Sequence, residues 1–219
     1  PMPGYILAFR CFLLILVCAP HSLLAEQDTS KLSDRLLNSE RIAQRFGNYG
    51  IEVVSQNSDR RVSNRYSEEK GTRTTRTLAV VDFLEPVAPA IAELHESVLR
   101  GQSLGATFKN NGWRVSKVNL NIETLVVDDH TGKVQGWMGL SGEHELAVHI
   151  YLLRLGRDDP VNGKTGQVID YAVIAELHHP DYLDLEAVKA IHGETTDLSK
   201  SGQTLTNTAR SALLEFITR

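Results

Sequence analysis

Apolar side chains recur along the chain with two different periods, and the changes between them mark out its elements. From Ser39 to Phe46 and from Ala88 to Arg100 the spacing is helical, with Ile91, Leu94, Val98 and Leu99 on one stripe of the second stretch. Residues 51–56, 61–67 and 74–84 read as strands, separated by polar turns at Asn57-Ser-Asp59 and Glu68-Glu-Lys-Gly71. The same order then returns. Ser103 opens a short helix to Asn110, strands follow near 113–127, 144–155 and 167–178, and a helix runs from about Tyr182 to His192. A last stripe of Leu205, Ala209, Ala212, Leu213, Phe216 and Ile217 places a C-terminal helix over 204–218.

The return of the pattern has a counterpart in the residues themselves. Phe46-Gly-Asn-Tyr-Gly-Ile-Glu-Val aligns without a gap on Phe108-Lys-Asn-Asn-Gly-Trp-Arg-Val, and Leu78-Ala-Val-Val on Tyr171-Ala-Val-Ile. Two matches in the same order point to an internal duplication of a helix-βββ-helix unit, with copies at about 39–101 and 103–193. Short turns make each strand triplet an antiparallel meander, because parallel neighbours need long crossovers. The expectation is therefore a single α+β domain over 26–219. It has about six antiparallel strands, helices on one face, and a C-terminal helix that completes the core.

The first 25 residues stand apart. Arg10 precedes an apolar run from Cys11 to Ala19 that is too short to span a bilayer comfortably, and the chain turns polar after Ala25. This is the layout of a signal peptide at 1–25, and it predicts a periplasmic or secreted product with no transmembrane anchor after cleavage. A lipoprotein alternative at Cys18 has Val17 where a small residue is usual. Both cysteines, Cys11 and Cys18, fall in this leader. The mature chain then has no disulfide, no thiolate nucleophile and no cysteine metal ligand.

Composition narrows the function only by exclusion. With 42% hydrophobic and 23% charged residues the chain is an ordinary globular one, and a net charge of −4 gives no reason to expect nucleic acid as a partner. No metal site and no cofactor motif is expected. His144 and His149 are five apart on a strand, so they point to opposite faces. Gly139-Leu-Ser-Gly142 lacks the second glycine position of a nucleophile elbow, and Gly136, Gly139 and Gly142 sit between strands and open no phosphate-cradling helix. Between Asp59 and Arg76 six cations face three acids, which suits either the solvated face of edge strands or a contact with acidic glycans.

What remains is a polar stripe. Alternation sends Lys117, Asn119, Asn121 and Glu123 to one side of their strand and Val118, Leu120 and Ile122 to the other, and it sets Asp170, Glu176 and His178 on one side of theirs. Trp137, in a glycine-rich loop, offers a large apolar contact nearby. Glu123, Trp137, Asp170, Glu176 and His178 are the candidate ligand-binding residues, converging on an open sheet face. Replacing Glu123, Glu176 or His178 by alanine should abolish binding while changing stability by less than about 1 kcal/mol, as for surface groups. The function expected is that of a non-catalytic binding or accessory protein of the bacterial envelope, with a small molecule, a glycan or an envelope protein as partner. The alternative is a hydrolase or lyase whose acid and base are carboxylates on that face, recognisable by a buried carboxylate or histidine displaced toward neutrality. A structural protein that self-associates through its sheet edge is the third possibility.

Overall fold

A computed structural model describes residues 36–158, 165–193 and 199–218. The expected leader at 1–25 lies outside the described residues, as do the loop residues 159–164 with the anticipated Asn162-Gly163 turn. Six strands, β1 (Gly50–Gln56), β2 (Arg60–Glu69), β3 (Thr72–Phe83), β4 (Arg114–Val127), β5 (His144–Asp158) and β6 (Thr165–His178), form one antiparallel sheet. Their order is β1-β2-β3-β6-β5-β4. The two meanders meet where β3 pairs with β6, Leu78 opposite Leu177 and Phe83 opposite Ala172. The two sequence segments that match each other thus lie side by side at the centre of the sheet. Duplication itself is not shown by this order, and only the second meander carries a helix between its first two strands.

Local chemistry accounts for most boundaries. Between β2 and β3, Lys70 and Gly71 both adopt positive φ, 51° and 80°, as a two-residue hairpin turn of the mirror-image type requires. Six helices are described: α1 (Asn38–Phe46), α2 (Ala92–Leu99), α3 (Leu104–Asn110), α4 (Gly132–Met138), α5 (Leu185–His192) and α6 (Lys200–Ile217). Helix α1 begins one residue before the expected Ser39 because Glu40 caps it, accepting the Leu37 N–H at 2.7 Å. Asp184 caps α5 by accepting from the Ala187 N–H at 2.8 Å, which leaves Tyr182 and Leu183 in a buried turn ahead of it. Ser199 opens α6 by accepting from Gly202, several residues before the expected start.

Helix α4 replaces the glycine-rich loop expected around Trp137. Val134 and Met138, four apart, bury one side of it, and Gly139 ends it in the left-handed region at φ 67°. Its two glycines, Gly132 and Gly136, lower helix propensity, and tertiary packing overrides them. Trp137 stacks on Phe216 of α6 with ring centroids 6.0 Å apart, so it packs within the fold and does not stand out from a loop.

The α+β class, the antiparallel sheet of six strands and the closing C-terminal helix match the sequence expectation. The placement of the helices differs. On one face of the sheet, Val62, Leu78, Val80, Val148, Ile150, Val173 and Leu177 pack against α4 and α6. On the other, the apolar residues fall into two separate clusters. Val81, Phe83, Tyr151, Leu153 and Ile174 meet Val98 of α2 and Leu104 and Phe108 of α3. Ala147 meets Ile42 of α1 and Val188 and Ile191 of α5, together with Tyr182 and Leu183. Helices therefore cover both faces, and a polar region separates the two cores of the second.

Candidate functional site

The polar region is assembled by strand register. Ala79, Glu176 and His149 stand in one row across β3, β6 and β5, and the next rows hold Thr77 with His178 and Val81 with Ile174, Tyr151 and Asn119. From β2, Arg61 and Arg65 face the same side, opposite Val81 and Thr77. Lys117 reaches in from β4. Next to this surface lies a cavity of about 300 Å³, closed by the start of α1 at Asn38 and Ser39, by Leu104 and Gly105 of α3, and by Ile191 and His192 of α5. Such a volume is at the lower end of the range for small-molecule sites.

Glu176 is the centre of the cluster and is wholly buried. One carboxylate oxygen, Oε1, accepts from Arg65 Nη1 and from the Tyr151 hydroxyl, the latter at 3.0 Å. The other, Oε2, accepts from Lys117 Nζ at 3.3 Å and lies 3.9 Å from His178 Nε2. Lys117 Nζ also sits 4.1 Å from the centroid of the Tyr151 ring. A second set of contacts ties the cluster to the covering helices. Asn38 of α1 donates to Thr77 Oγ1 at 3.1 Å, and that oxygen lies 3.1 Å from His178 Nδ1. The Tyr182 hydroxyl donates to Asn38 Oδ1 at 2.6 Å. His149 Nε2 meets Asn119 Oδ1 at 2.7 Å, and its ring stacks on His192 with centroids 4.1 Å apart.

Burial pulls every titratable group here toward its neutral form, and the neighbours decide which ones yield. For Glu176, burial alone would raise the carboxyl, but Lys117 and Arg65 outweigh it and hold the group well below the usual carboxylate range. Burial brings Lys117 down to about 8 against the opposing pull of Glu176. For the histidines the pull of Glu176 is too weak to offset burial. Burial lowers His178 to about 3 and His192 to about 2, and it takes His149 well below its ordinary value, so all three are neutral near pH 7. Burial drives the Tyr151 hydroxyl well up, with Glu176 adding to the effect.

Of the five residues singled out by sequence, the structure brings two together, Glu176 and His178. The others are separated from them by β-bulges and by the helix that replaced the loop. The register of β4 against β5 shifts between Asn119 and Asn121, so Lys117 and Asn119 face the cavity side while Asn121 and Glu123 turn to the opposite face. There Glu123 Oε1 pairs with Arg210 Nε of α6 at 3.1 Å. A second shift leaves Tyr171 unpaired between Leu153 and Arg154, and Asp170 forms an exposed two-bond pair with Arg154 at 2.6 and 3.2 Å. Trp137 belongs to the α4 side of the sheet. The stripe expected to be open is therefore covered and divided between two faces.

Arg61, Arg65, Tyr151, His149 and His192 join the site although the stripe did not include them. The available signal was the alternation Arg61, Ser63, Arg65 on β2 and His149, Tyr151 on β5, polar positions at a spacing of two within buried strands. Half of the basic run from Asp59 to Arg76, namely Arg61, Arg65 and Arg76, is held inside the fold, while Lys70 and Arg73 are exposed. Arg60 pairs with Asp82, Arg65 with Glu176, and Arg76 with Glu69 and Ser67. Arg61 donates to the carbonyls of Val98, Gly101 and Gln102 at the end of α2.

Among the described residues no group of three or more His, Cys, Asp or Glu side chains is placed to hold a metal ion, and no helix is long and apolar enough to cross a membrane. Comparison of the chain with family models, curated proteins and solved structures returns no match.

Glu176→Gln keeps the shape of the side chain and removes its charge, leaving Arg65 and Lys117 without their shared counter-ion. We expect a loss of about 3–5 kcal/mol in urea denaturation, against less than about 1 kcal/mol for Glu123→Ala, whose pair is partly exposed. This replaces the small effect that the sequence suggested for Glu176.

The histidines add a pH dependence. In the unfolded chain they titrate near 6.5, while the folded values of His178 and His192 are about 3 and about 2. Between these limits the unfolded state holds more protons than the folded one, so stability is fully present above 6.5 and is lost as the pH falls. His192→Phe retains a ring for stacking on His149 and cannot titrate. Its stability should decline less than that of the wild type between pH 7 and pH 5, by up to about 1.4 kcal/mol per pH unit, as read from urea midpoints at the two values.

Proposed function

We propose that the protein is an exported, non-catalytic binding protein that holds a small molecule in the cavity beneath α1, α3 and α5. Export rests on the leader-like pattern of residues 1–25, and the envelope of a bacterial cell is the setting this implies. The observation that carries the binding reading is the cavity itself, which places polar groups on rigid strands and apolar groups around them. Lys117, Arg65 and Tyr151 come from three different strands of one continuous sheet, and Leu104, Val115, Leu153, Ile174 and Ile191 are among the other lining residues. Side chains held this way supply a fixed recognition surface at little conformational cost on binding.

The acid-base alternative receives less support from the same geometry. General acid-base chemistry on two carboxylates needs a pair whose environments push their titrations apart. Among the described residues Glu176 is the sole carboxylate lining the cavity, and its neighbours hold it ionised, with no proton to give near neutrality. The adjacent histidines are held neutral far from the pH at which they would exchange protons. Lys117 is brought down to about 8, and it is engaged with Glu176.

A fragment screen by two-dimensional NMR tests the binding reading. The probes are a mixed set of acids, amides and amines of about ten non-hydrogen atoms, a size set by the roughly 30 Å³ that one water occupies. Hits should shift the backbone resonances of residues 115–119, 151–153 and 174–176 together. Val115→Phe, which narrows the cavity from its partly buried wall, should abolish those shifts while leaving the melting curve close to that of the wild type. Hits confined to other surfaces, or shifts that persist in Val115→Phe, would overturn the assignment of the cavity.

A further inference from the structure

The cavity is unequal in its hydrogen-bonding groups, and the inequality identifies the class of molecule it takes. Lys117 carries three N–H donors and Arg65 five, yet both direct a donor at the same carboxylate, Glu176. Tyr151 spends its single donor there as well. A carboxylate offers about four acceptor positions, so Glu176 cannot engage the rest. Arg61 is occupied elsewhere, on three carbonyls at the end of α2. Lys117 and Arg65 thus bring more donors to the cavity than Glu176 absorbs.

Charge runs the same way. Among the described residues Arg61, Arg65 and Lys117 line the cavity against the single carboxylate of Glu176. Accessibility sharpens the asymmetry. The Lys117 and Arg65 side chains keep 18% and 13% of their surface exposed, whereas Glu176 keeps 0%. A molecule entering the cavity therefore meets more surface of the cations than of the carboxylate that neutralises them in part. Leu104, Val115, Leu153 and Ile174 add apolar wall, and Ser63, Ser103 and Ser116 are uncharged polar groups among the other lining residues.

We propose that the cavity binds a small organic acid of about ten non-hydrogen atoms or fewer bearing one carboxylate, with the carboxylate received by Lys117 and Arg65. The proposal rests on the cavity being a ligand site and adds the charge and chemistry of what fills it. A carboxylate accepts charge-assisted bonds from both cations, and such bonds are roughly twice as strong as neutral ones. The isosteric amide brings two donors to a place already rich in donors. The amine of equal length brings a positive charge beside two others.

Hexanoate, hexanamide and hexylamine, with benzoate and benzamide as a second pair, are titrated into the full protein at pH 7 and followed by the same NMR shifts and by calorimetry. The acids should bind at least about tenfold more tightly than their amides, and the amine should show no binding in the cavity. Lys117→Met should reduce the acid-to-amide ratio to about threefold or less, and Lys117→Arg should restore most of it. Arg65 and Tyr151 still engage Glu176 in both variants, and melting curves verify that each is folded before it is titrated.

Equal affinity of acid and amide would overturn the acid assignment while leaving the cavity a ligand site. An acid preference that survives Lys117→Met unchanged, or that persists when Val115→Phe narrows the cavity, would overturn it too. Failure of every fragment, charged or neutral, to shift the cavity resonances would remove the binding reading together with the proposal.

Discussion

A carboxylate placed where no surface reaches it must either take up a proton or be given partners, and Glu176 has been given three. Arg65, Lys117 and Tyr151 converge on it from β2, β4 and β5, the strands of both meanders. Removing any one partner from a buried set of this kind leaves charge uncompensated, which is far more costly than the set is stabilising. The consequences spread through the second face of the sheet. Because polar groups occupy its middle, the apolar contacts there divide into one core under α2 and α3 and another under α1 and α5. The unfilled space between those cores is the cavity.

The opposite face shows what the sheet does without such a cluster. Its apolar residues form one continuous core with α4 and α6, and that core supplies the burial that a domain without cysteines among its described residues depends on. A stable sheet held from one side tolerates a polar, partly open region on the other. The binding reading follows from that division of labour. A rigid surface carries Lys117 and Arg65, and helices joined to it through Asn38, Tyr182 and Asn119 close over them.

Much of this was legible in the sequence, for identifiable reasons. Strands show as short apolar runs between turn residues such as Lys70-Gly71, and all six fall within a few residues of where the pattern put them. Helices with an apolar stripe, such as α6, show equally well. Helix α4 did not, because Gly132, Gly136 and Gly139 read as loop and only its packing against the sheet makes it a helix. The bulges left no trace either. Val118-Asn-Leu-Asn-Ile122 alternates without a break, yet the register shifts within it, so Asn119 and Asn121 face opposite ways. One extra residue sufficed to carry Glu123 away from Glu176. Alternation also gives the side to which Glu176 and His178 point, but not whether helices cover that side. Their burial depends on Arg65 and Lys117, more than fifty residues away in sequence.

The ionisation of Glu176 is the point on which the account stands, and it is directly measurable. With glutamate labelled at the side-chain carboxyl carbon, the Glu176 resonance is followed by NMR from pH 8 downward, and Glu176→Gln supplies the assignment. The account predicts the shift of an ionised carboxylate throughout, with no midpoint at or above the ordinary value of 4.5 before the protein unfolds. A midpoint above 4.5 in the folded protein would mean that burial outweighs Arg65 and Lys117, and it would contradict the cluster as described.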